Sequence, residues 1–169
     1  MAWLARGSSR LYGLMVLSAV VVLVADQVTK FWAVAALSGG ERLAVIPPLI
    51  HFRLLYNAGA AFSTGTGVTW VFTLAAAAAV IGVLYIARRL ASAGWAFGLG
   101  ALLGGAVSHL GDRLFREPGF ARGHVVDFID YGPFVGNVAD IALFCACVAM
   151  MVLSLRGVPL AGAPREESA

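Results

Sequence analysis

Apolar positions along this chain fall into four long runs, parted by two polar segments and one very short basic gap. The first run follows the basic residues Arg6 and Arg10, spans about 11–37, and carries Asp26, Gln27 and Lys30 in its later part. The second spans 68–87 and stops at Arg88-Arg89, the third spans 93–111, and the fourth spans 137–155. A helix needs roughly 20 residues to cross the hydrocarbon of a bilayer, so each run predicts one membrane span. The first run also has the outline of a secretory signal, with Ala33-Val34-Ala35 in the form of a small-residue cleavage site. At about 27 residues, roughly 40 Å as a helix, it is too long for a signal's apolar core, and a retained first helix is expected.

The polar segments have a different texture. Within 38–67, Arg42–Ile46 and Ile50–Leu55 predict two short strands joined across Pro47-Pro48. They are followed by Tyr56-Asn57-Ala58-Gly59-Ala60-Ala61-Phe62 and a Gly/Thr turn region. Within 112–136, Gly123-His124-Val125-Val126 is a short β-like run that leads into Asp127. Beyond Arg156, the residues Pro159, Pro164, Arg165, Glu166 and Glu167 predict a disordered tail over 157–169. The expected architecture is an all-α polytopic membrane protein, a single domain over 1–169. It has four transmembrane helices and a small β-platform in the first outer loop, 38–67, with a second outer loop over 112–136. Gly94, Gly98, Gly100, Gly104 and Gly105 in the third run would let neighbouring helices approach closely.

Composition agrees and narrows the function classes. The 169 residues are 60% hydrophobic and 12% charged, with a mean hydropathy of +0.87; soluble domains are nearer half apolar and a quarter charged. The net charge of +3 is small and its basic residues form no single patch, so nucleic acid is not an expected partner. Cys145 and Cys147 point in different directions on a helix, which suggests neither a disulfide nor a metal site. His109 and His124 have no further ligands at metal-binding spacing, no Ser-His-Asp arrangement has a supporting motif, and no phosphate-binding loop follows a strand. No metal or organic cofactor is expected.

Lys and Arg placement sets the expected orientation. With a cytoplasmic N-terminus the inside set is Arg6, Arg10, Arg88, Arg89, Arg156 and Arg165, and the outside set is Lys30, Arg42, Arg53, Arg113, Arg116 and Arg122. The count is even. Arg88-Arg89 in a very short loop and Arg6 and Arg10 ahead of the first helix tip it, whereas several outside basics sit beside acids: Asp26 with Lys30, Asp112 with Arg113, Arg116 with Glu117. Both termini are therefore expected inside, and Asp127 and Asp140 at the outer face.

Each polar residue in this setting has a plain structural reading. Asp26 and Lys30 are four apart and suit an ion pair on one helix face. Asn57 suits a turn. Asp112 ends the third helix and is expected to be held by its neighbour Arg113. Asp127 reads as a loop carboxylate. In Asn137-Val138-Ala139-Asp140, the Asn is a natural N-cap and the acid occupies the third helical position, where it favours the helix dipole. Set against this is one chemical possibility: two carboxylates close together cannot both ionise cheaply and so share a proton, a device for hydrolysing peptide bonds.

Five segments in order carry a family resemblance: Asp26-Gln27-Val28-Thr29-Lys30, Tyr56 to Phe62, Gly104-Gly105-Ala106 with Asp112-Arg113, Gly123 to Phe128, and Asn137 to Asp140. Over about 20–145 the chain resembles the signal peptidase II family of membrane aspartic proteases. The resemblance implies removal of signal peptides from bacterial prolipoproteins just before a diacylglyceryl-modified cysteine. It implies Asp127 and Asp140 as the catalytic pair. Asn57, Asp112, Arg113 and Asn137 match positions that line or support the site, and Asp26 matches another motif residue. It also implies a platform of strands on the membrane surface and a bacterial cytoplasmic (inner) membrane location with the site at the outer face. The expected partners are lipid-modified prolipoproteins and membrane lipid, and the expected state is a monomer. Two positions depart from the family pattern: His109 stands where an Asn is expected to contact substrate, and Gly136 where an aromatic residue is more usual. The alternative on residue chemistry alone is a small membrane transporter or proton-conducting protein, since acids such as Asp26, Asp112 and Asp140 in membrane helices often mark ion paths.

Overall fold

The computed structural model describes the backbone of residues 2–59 and 68–161 and the side chains of 9–59 and 68–161. Ala60 to Phe62 of the Asn57 motif, the side chain of Arg6, and the tail from 162 onward with Arg165 lie outside the described residues. Four helices and four strands follow in chain order: α1 (Ala2–Leu37), β1 (Leu43–Ile46), β2 (Ile50–Asn57), α2 (Thr69–Ala87), α3 (Ala93–Phe115), β3 (Val125–Asp130), β4 (Val135–Gly136) and α4 (Val138–Leu155). Each helix holds a stretch long and apolar enough to cross a membrane: Ser9–Leu37, Thr69–Ala87, Ala93–Phe115 and Val138–Leu155. Their outward faces carry Val, Leu, Ile and Phe side chains as exposed as Ile81 at 67% and Phe144 at 70%. Such a surface is stable only against a solvent as apolar as itself.

α3 is the central helix. Half of its most apolar stretch is buried, against 11–17% in the other three. Small residues make that possible. A Cβ at Gly100 would stand 2.4 Å from the Met15 carbonyl oxygen, and one at Gly104 would stand 2.4 Å from that of Ala19. The pair, four residues apart, lets the backbones of α1 and α3 touch, which is how helices gain packing energy in lipid, where no hydrophobic drive operates between them. Met15, Ala19, Val83, Leu99 and Leu103 close the core around this crossing.

α1 packs extensively on α3, α4 packs on α3 and α1, and α2 packs on α3. Among the described residues α2 shares no extensive contact with α4. The two lie on either side of α3 with a gap between them.

The four strands form one antiparallel sheet in the order β1-β2-β3-β4. The sequence placed a platform in the segment 38–67 alone; instead β3 and β4 come from the second polar segment, so the protein is mostly helical rather than all-α. Pairing across the two helices that lie between β2 and β3 is what a period-2 pattern cannot specify, because a strand's own sequence does not name its neighbour. The sheet seats on the last turns of α1 through Ala33, Leu37, Phe128 and Ile129. Trp32, Phe52 and Phe128 meet edge to face with centroids 5.4–6.1 Å apart, the arrangement their ring quadrupoles favour.

Two boundaries differ from the sequence reading. α3 continues to Phe115, so Asp112 and Arg113 sit in its last turns rather than in the loop from 112. The stretch 157–161, expected to be disordered, folds back onto the α2–α3 connection. There Leu160 accepts the Ala91 N–H at 2.9 Å and Val158 accepts the Trp95 indole N–H at 2.9 Å. Its apolar residues Val158 and Leu160 give it something to bury. Cys145 and Cys147 are unpaired and exposed on α4.

Candidate active site

The polar residues singled out in the sequence converge at the sheet end of the bundle. β2 and β3 bring the first two together: Leu55 lies opposite Asp127 and Asn57 opposite Val125. Asn57 Nδ2 donates to Asp127 Oδ2 at 2.9 Å, and Asn137 Nδ2 donates to Asp127 Oδ1 at 2.6 Å. Each carboxyl oxygen of Asp127 thus accepts one amide N–H, and the residue is only 2% exposed.

Asn137 then hands the geometry on to Asp140. It caps α4: its Oδ1 accepts the Asp140 N–H at 3.0 Å, while Asp140 Oδ2 accepts the Asn137 N–H at 2.9 Å. The capping box expected from the sequence is present, and it does more than start a helix. Because the same Asn137 side chain binds Asp127, one residue fixes both acids relative to each other. Asp140 is far less buried than Asp127, its side chain being 41% exposed.

Beneath the two acids lies a sealed ion cluster. Lys30 Nζ contacts Asp26 Oδ2 at 2.6 Å and Asp112 Oδ2 at 2.7 Å, and none of these side chains is more than 1% exposed. Arg116 Nε reaches Asp112 Oδ1 at 2.6 Å, Gln27 Nε2 donates to both Asp112 and Ser108, and Ser108 donates to Asp26. The expected pairing of Asp112 with Arg113 does not occur, and Arg116 takes that place. Residues adjacent in a helix point about 100° apart, whereas Arg116 is one turn along from Asp112 and shares its face. The remaining acceptor sites of the cluster matter most. Asp26 Oδ1 takes the N–H of Ala139 at 2.8 Å, and Asp112 Oδ2 takes the N–H of Val126 at 3.4 Å. Each of these backbone groups belongs to the residue directly before one of the two acids. Lys30 therefore ties together the anchors of both segments. Gln27, Lys30, Ser108 and Arg116 were not singled out as site residues; for Gln27 and Lys30 the signal was present in their shared motif with Asp26.

Arg113 turns away from the acids' carboxyl oxygens and donates to the carbonyls of Ala58, Gly59 and Gly123. Its guanidinium also lies over the Phe72 ring, 5.4 Å from the centroid. It pins the end of β2 and the start of β3 to α3.

Beside the acids opens a cavity of about 700 Å³. It follows α2 from Phe72 to Ile86, is floored by Leu102 and Ala106 of α3, and has Leu143 of α4 on its far side. At the sheet end it reaches Asn57, Asp127, Asp140, His109 and Arg113. This is the gap between α2 and α4, apolar along its length and polar only at one end. His109 belongs to that end, with Nε2 3.3 Å from Asn137 Oδ1 and 3.5 Å from Asp140 Oδ1.

Electrostatically Asp127 departs far from an ordinary carboxyl. Burial pushes the Asp127 carboxyl up to about 7, with the neighbouring Asp140 adding to it, against the hydrogen bonds from Asn57 and Asn137 and the charge of Lys30. The nearby Asp130 shows the opposite outcome. Burial would raise it too, but the Gly132 N–H together with Arg53 at 2.8 Å and Arg42 at 3.3 Å holds its carboxyl below the usual range. Asp127 has amide donors where Asp130 has cations, and so it keeps a proton near neutrality.

A multi-pass helical bundle with coupled carboxyl groups at one end of an apolar membrane cleft is the architecture of a membrane-embedded enzyme. Comparison with known proteins makes that specific. Residues 18–156 match the family described as Signal peptidase (SPase) II, and the chain belongs to that family. It is 48% identical over 139 residues to the lipoprotein signal peptidase of Rhodococcus jostii, covering 82% of this chain and 70% of that one. It is also 48% identical over 140 residues to that of Mycobacterium tuberculosis, covering 82% and 69%. Two solved bacterial membrane enzymes share the fold. One has a TM-score of 0.74 at 25% identity over 92% of this chain and 95% of that one; the other has 0.72 at 27% over 85% and 94%.

Proposed function

We infer that this chain is a membrane aspartic endopeptidase that removes signal peptides from prolipoproteins, cleaving just before the diacylglyceryl-modified cysteine, with Asp127 and Asp140 as its catalytic pair. Family membership carries the reaction. One observation carries the assignment of residues: Asn137 binds Asp127 through its side-chain amide and Asp140 through its cap.

With one proton between them, the ionised carboxylate takes a proton from water as it attacks the scissile carbonyl, and the protonated one hydrogen-bonds the carbonyl oxygen. The tetrahedral intermediate collapses with rupture of the C–N bond. The nitrogen takes up a proton, leaving the signal peptide with a carboxylate and the lipoprotein with a new amino terminus at its modified cysteine. The cleft between α2 and α4 takes the apolar part of the signal peptide, and its polar end receives the cut site. On this reading the sheet and the acids lie at the outer surface of the cytoplasmic membrane with both termini inside, which the basic residues Arg10 before the first span and Arg88-Arg89 between the second and third support. The site residues Asp112 and Arg113, with Asp26 and Lys30, act as support, and Asn57 and Asn137 as direct partners of the pair. An ion path through Asp26 and Asp112 finds no support, since their oxygens are already taken by Lys30, Arg116, Ser108 and backbone N–H groups.

The lipid requirement tests the reading. Burying even about four methylenes of an acyl chain contributes about 3 kcal/mol, roughly a hundredfold in rate if it is realised in the transition state. The purified chain in detergent should therefore cleave a diacylglyceryl-modified precursor at least that much faster than the same precursor without lipid. Equal turnover of the two would remove the lipoprotein-specific reading.

A second expectation concerns pH. The working form needs one proton on the pair, and the Asp127 carboxyl releases its proton at about 7. Activity should accordingly decline as pH rises through about 7 and recover on return to lower pH. A profile flat from pH 6 to 9 would show that the proton on Asp127 is not used.

A further inference from the structure

His109 and Gly136 lie on either side of a single carboxyl group, that of Asp140. His109 Nε2 is 3.5 Å from Asp140 Oδ1, and a Cβ added at Gly136 would stand 2.9 Å from Asp140 Oδ2. Gly136 thus leaves room for the carboxyl to sit in the cap, and His109 faces its other oxygen. We propose that His109 is a positioning residue: it anchors Asn137 through Nε2–H and presents its charge to Asp140, making Asp140 the ionised member of the pair and leaving the proton on Asp127. This rests on the reading of Asp127 and Asp140 as the catalytic pair.

The hydrogen bonds fix the tautomer. Asn137 Nδ2 donates to Asp127, and its Oδ1 accepts the Asp140 N–H, so the amide cannot be turned over. The atom facing His109 Nε2 is then a pure acceptor, and Nε2 must carry hydrogen in both the neutral and the charged ring. Protonation occurs at Nδ1 and breaks nothing. It switches on a positive charge beside Asp140 with no movement of the side chain.

The other groups near the ring divide between those that favour the same arrangement and those, Arg113 and Lys30, whose charge acts on Asp127 instead. On α4, Asp140 sits in the first turn, where the helix dipole favours the carboxylate. On β3, Asp127 is the buried partner, and Tyr131 beyond it is raised by burial and by the charge of Asp140. On α3, Arg113 gives its donors to carbonyl groups while its charge acts on Asp127 and Asp112, and Asp112 is matched by Lys30 and Arg116. On α1, Asp26 is matched by Lys30. The stretch of α2 that lines the cavity, from Phe72 to Ile86, brings no titratable side chain to it. A group that can gain charge without moving thus stands against the proposed pair.

A charged His109 beside Asp140 opposes uptake of a second proton by the pair, so activity persists to lower pH than the two carboxylates alone would allow. The solvent access of Asp140 screens part of this effect. The test is the pH–rate profile of the full chain on a lipid-modified precursor, for the wild type, His109→Asn and His109→Gln, with melting temperatures as a check on folding. Both variants should cleave more slowly, and the acid limb of both should shift by about one pH unit toward higher pH. Variants slowed by the same factor at every pH, with unmoved limbs, would leave His109 only a packing role and overturn the proposal. So would folded variants that are inactive throughout, since His109 would then be a reacting group. A wild type that cleaves no lipid-modified precursor would instead overturn the peptidase reading beneath it.

Discussion

Asp140→Asn should lower cleavage of a lipid-modified precursor by at least about 10³-fold while leaving the protein folded, since general acid–base groups contribute 10²–10⁴-fold and this one has no substitute. The capping box explains why the fold survives. Asp140 Oδ2 accepts the Asn137 N–H at 2.9 Å, and the amide oxygen of an Asn can accept it equally well. The start of α4 and the hold of Asn137 on Asp127 should both persist. Asp127→Asn should be as inactive but less clean. Both Asp127 oxygens accept amide N–H groups, from Asn57 at 2.9 Å and Asn137 at 2.6 Å. An amide there must turn its own NH₂ against one of these donors, which costs about 1–3 kcal/mol for the partner left unsatisfied. A gel-shift cleavage assay run with thermal melts separates the two effects. Normal turnover by either variant would sink the assignment of the pair.

Lys30→Met is the second large effect, and it arises in the ion cluster beneath Asp127 and Asp140. The ammonium is the shared partner of Asp26 and Asp112, all three fully or almost fully buried. Removing one partner of a buried ion pair typically costs about 3–5 kcal/mol, because the other charge is left uncompensated. Here two carboxylates lose it at once. A fall in melting temperature on the order of 10 °C is expected. Activity should fall further than stability explains, since Asp26 and Asp112 also hold the N–H groups of Ala139 and Val126 that precede Asp140 and Asp127. Adding Asp112→Asn to Lys30→Met should recover part of the loss, the non-additivity expected of residues in one network. A Lys30→Met protein that melts with the wild type would show that the cluster carries no such strain.

What the sequence disclosed about this site, and what it did not, divides by distance along the chain. The contact of Asp26 with Lys30 and the cap of Asn137 on Asp140 span three or four residues, and helical spacing alone predicts both. The strands at 42–55 were legible from their composition. For Asp112 the same rule offered Arg116, one turn along, but not Lys30, which lies 82 residues away with nothing in either segment to name the other. The same holds for the pairing of β2 with β3, and for β4, whose two residues are too few to carry a pattern. Arg113 was assigned to its neighbour in sequence and instead captures carbonyl groups of two loops, a role no spacing rule encodes. His109 was read as a contact for substrate, and only the assembled fold sets it beside Asp140.

The attachment of α2 bears on which substrates such an enzyme tolerates. The cleft has two walls, α3 and α4, joined by small residues and by the ion cluster, and a third, α2. Among the described residues α2 packs on α3 along its length and is tied at its sheet end by Thr69 and Thr73, whose hydroxyls donate to the Ala58 and Ala121 carbonyls at 2.7 and 2.8 Å. Signal peptides vary in bulk along their apolar part, and a wall with few ties along its length constrains that bulk less than its tied end does. Discrimination then concentrates at the mouth of the cleft, where Asn57, Arg113 and the acid pair are held without play. An enzyme arranged this way is permissive toward the body of its substrate and strict about the one bond it cuts, so sequence drift in its many clients need not be answered by changes in the cleft.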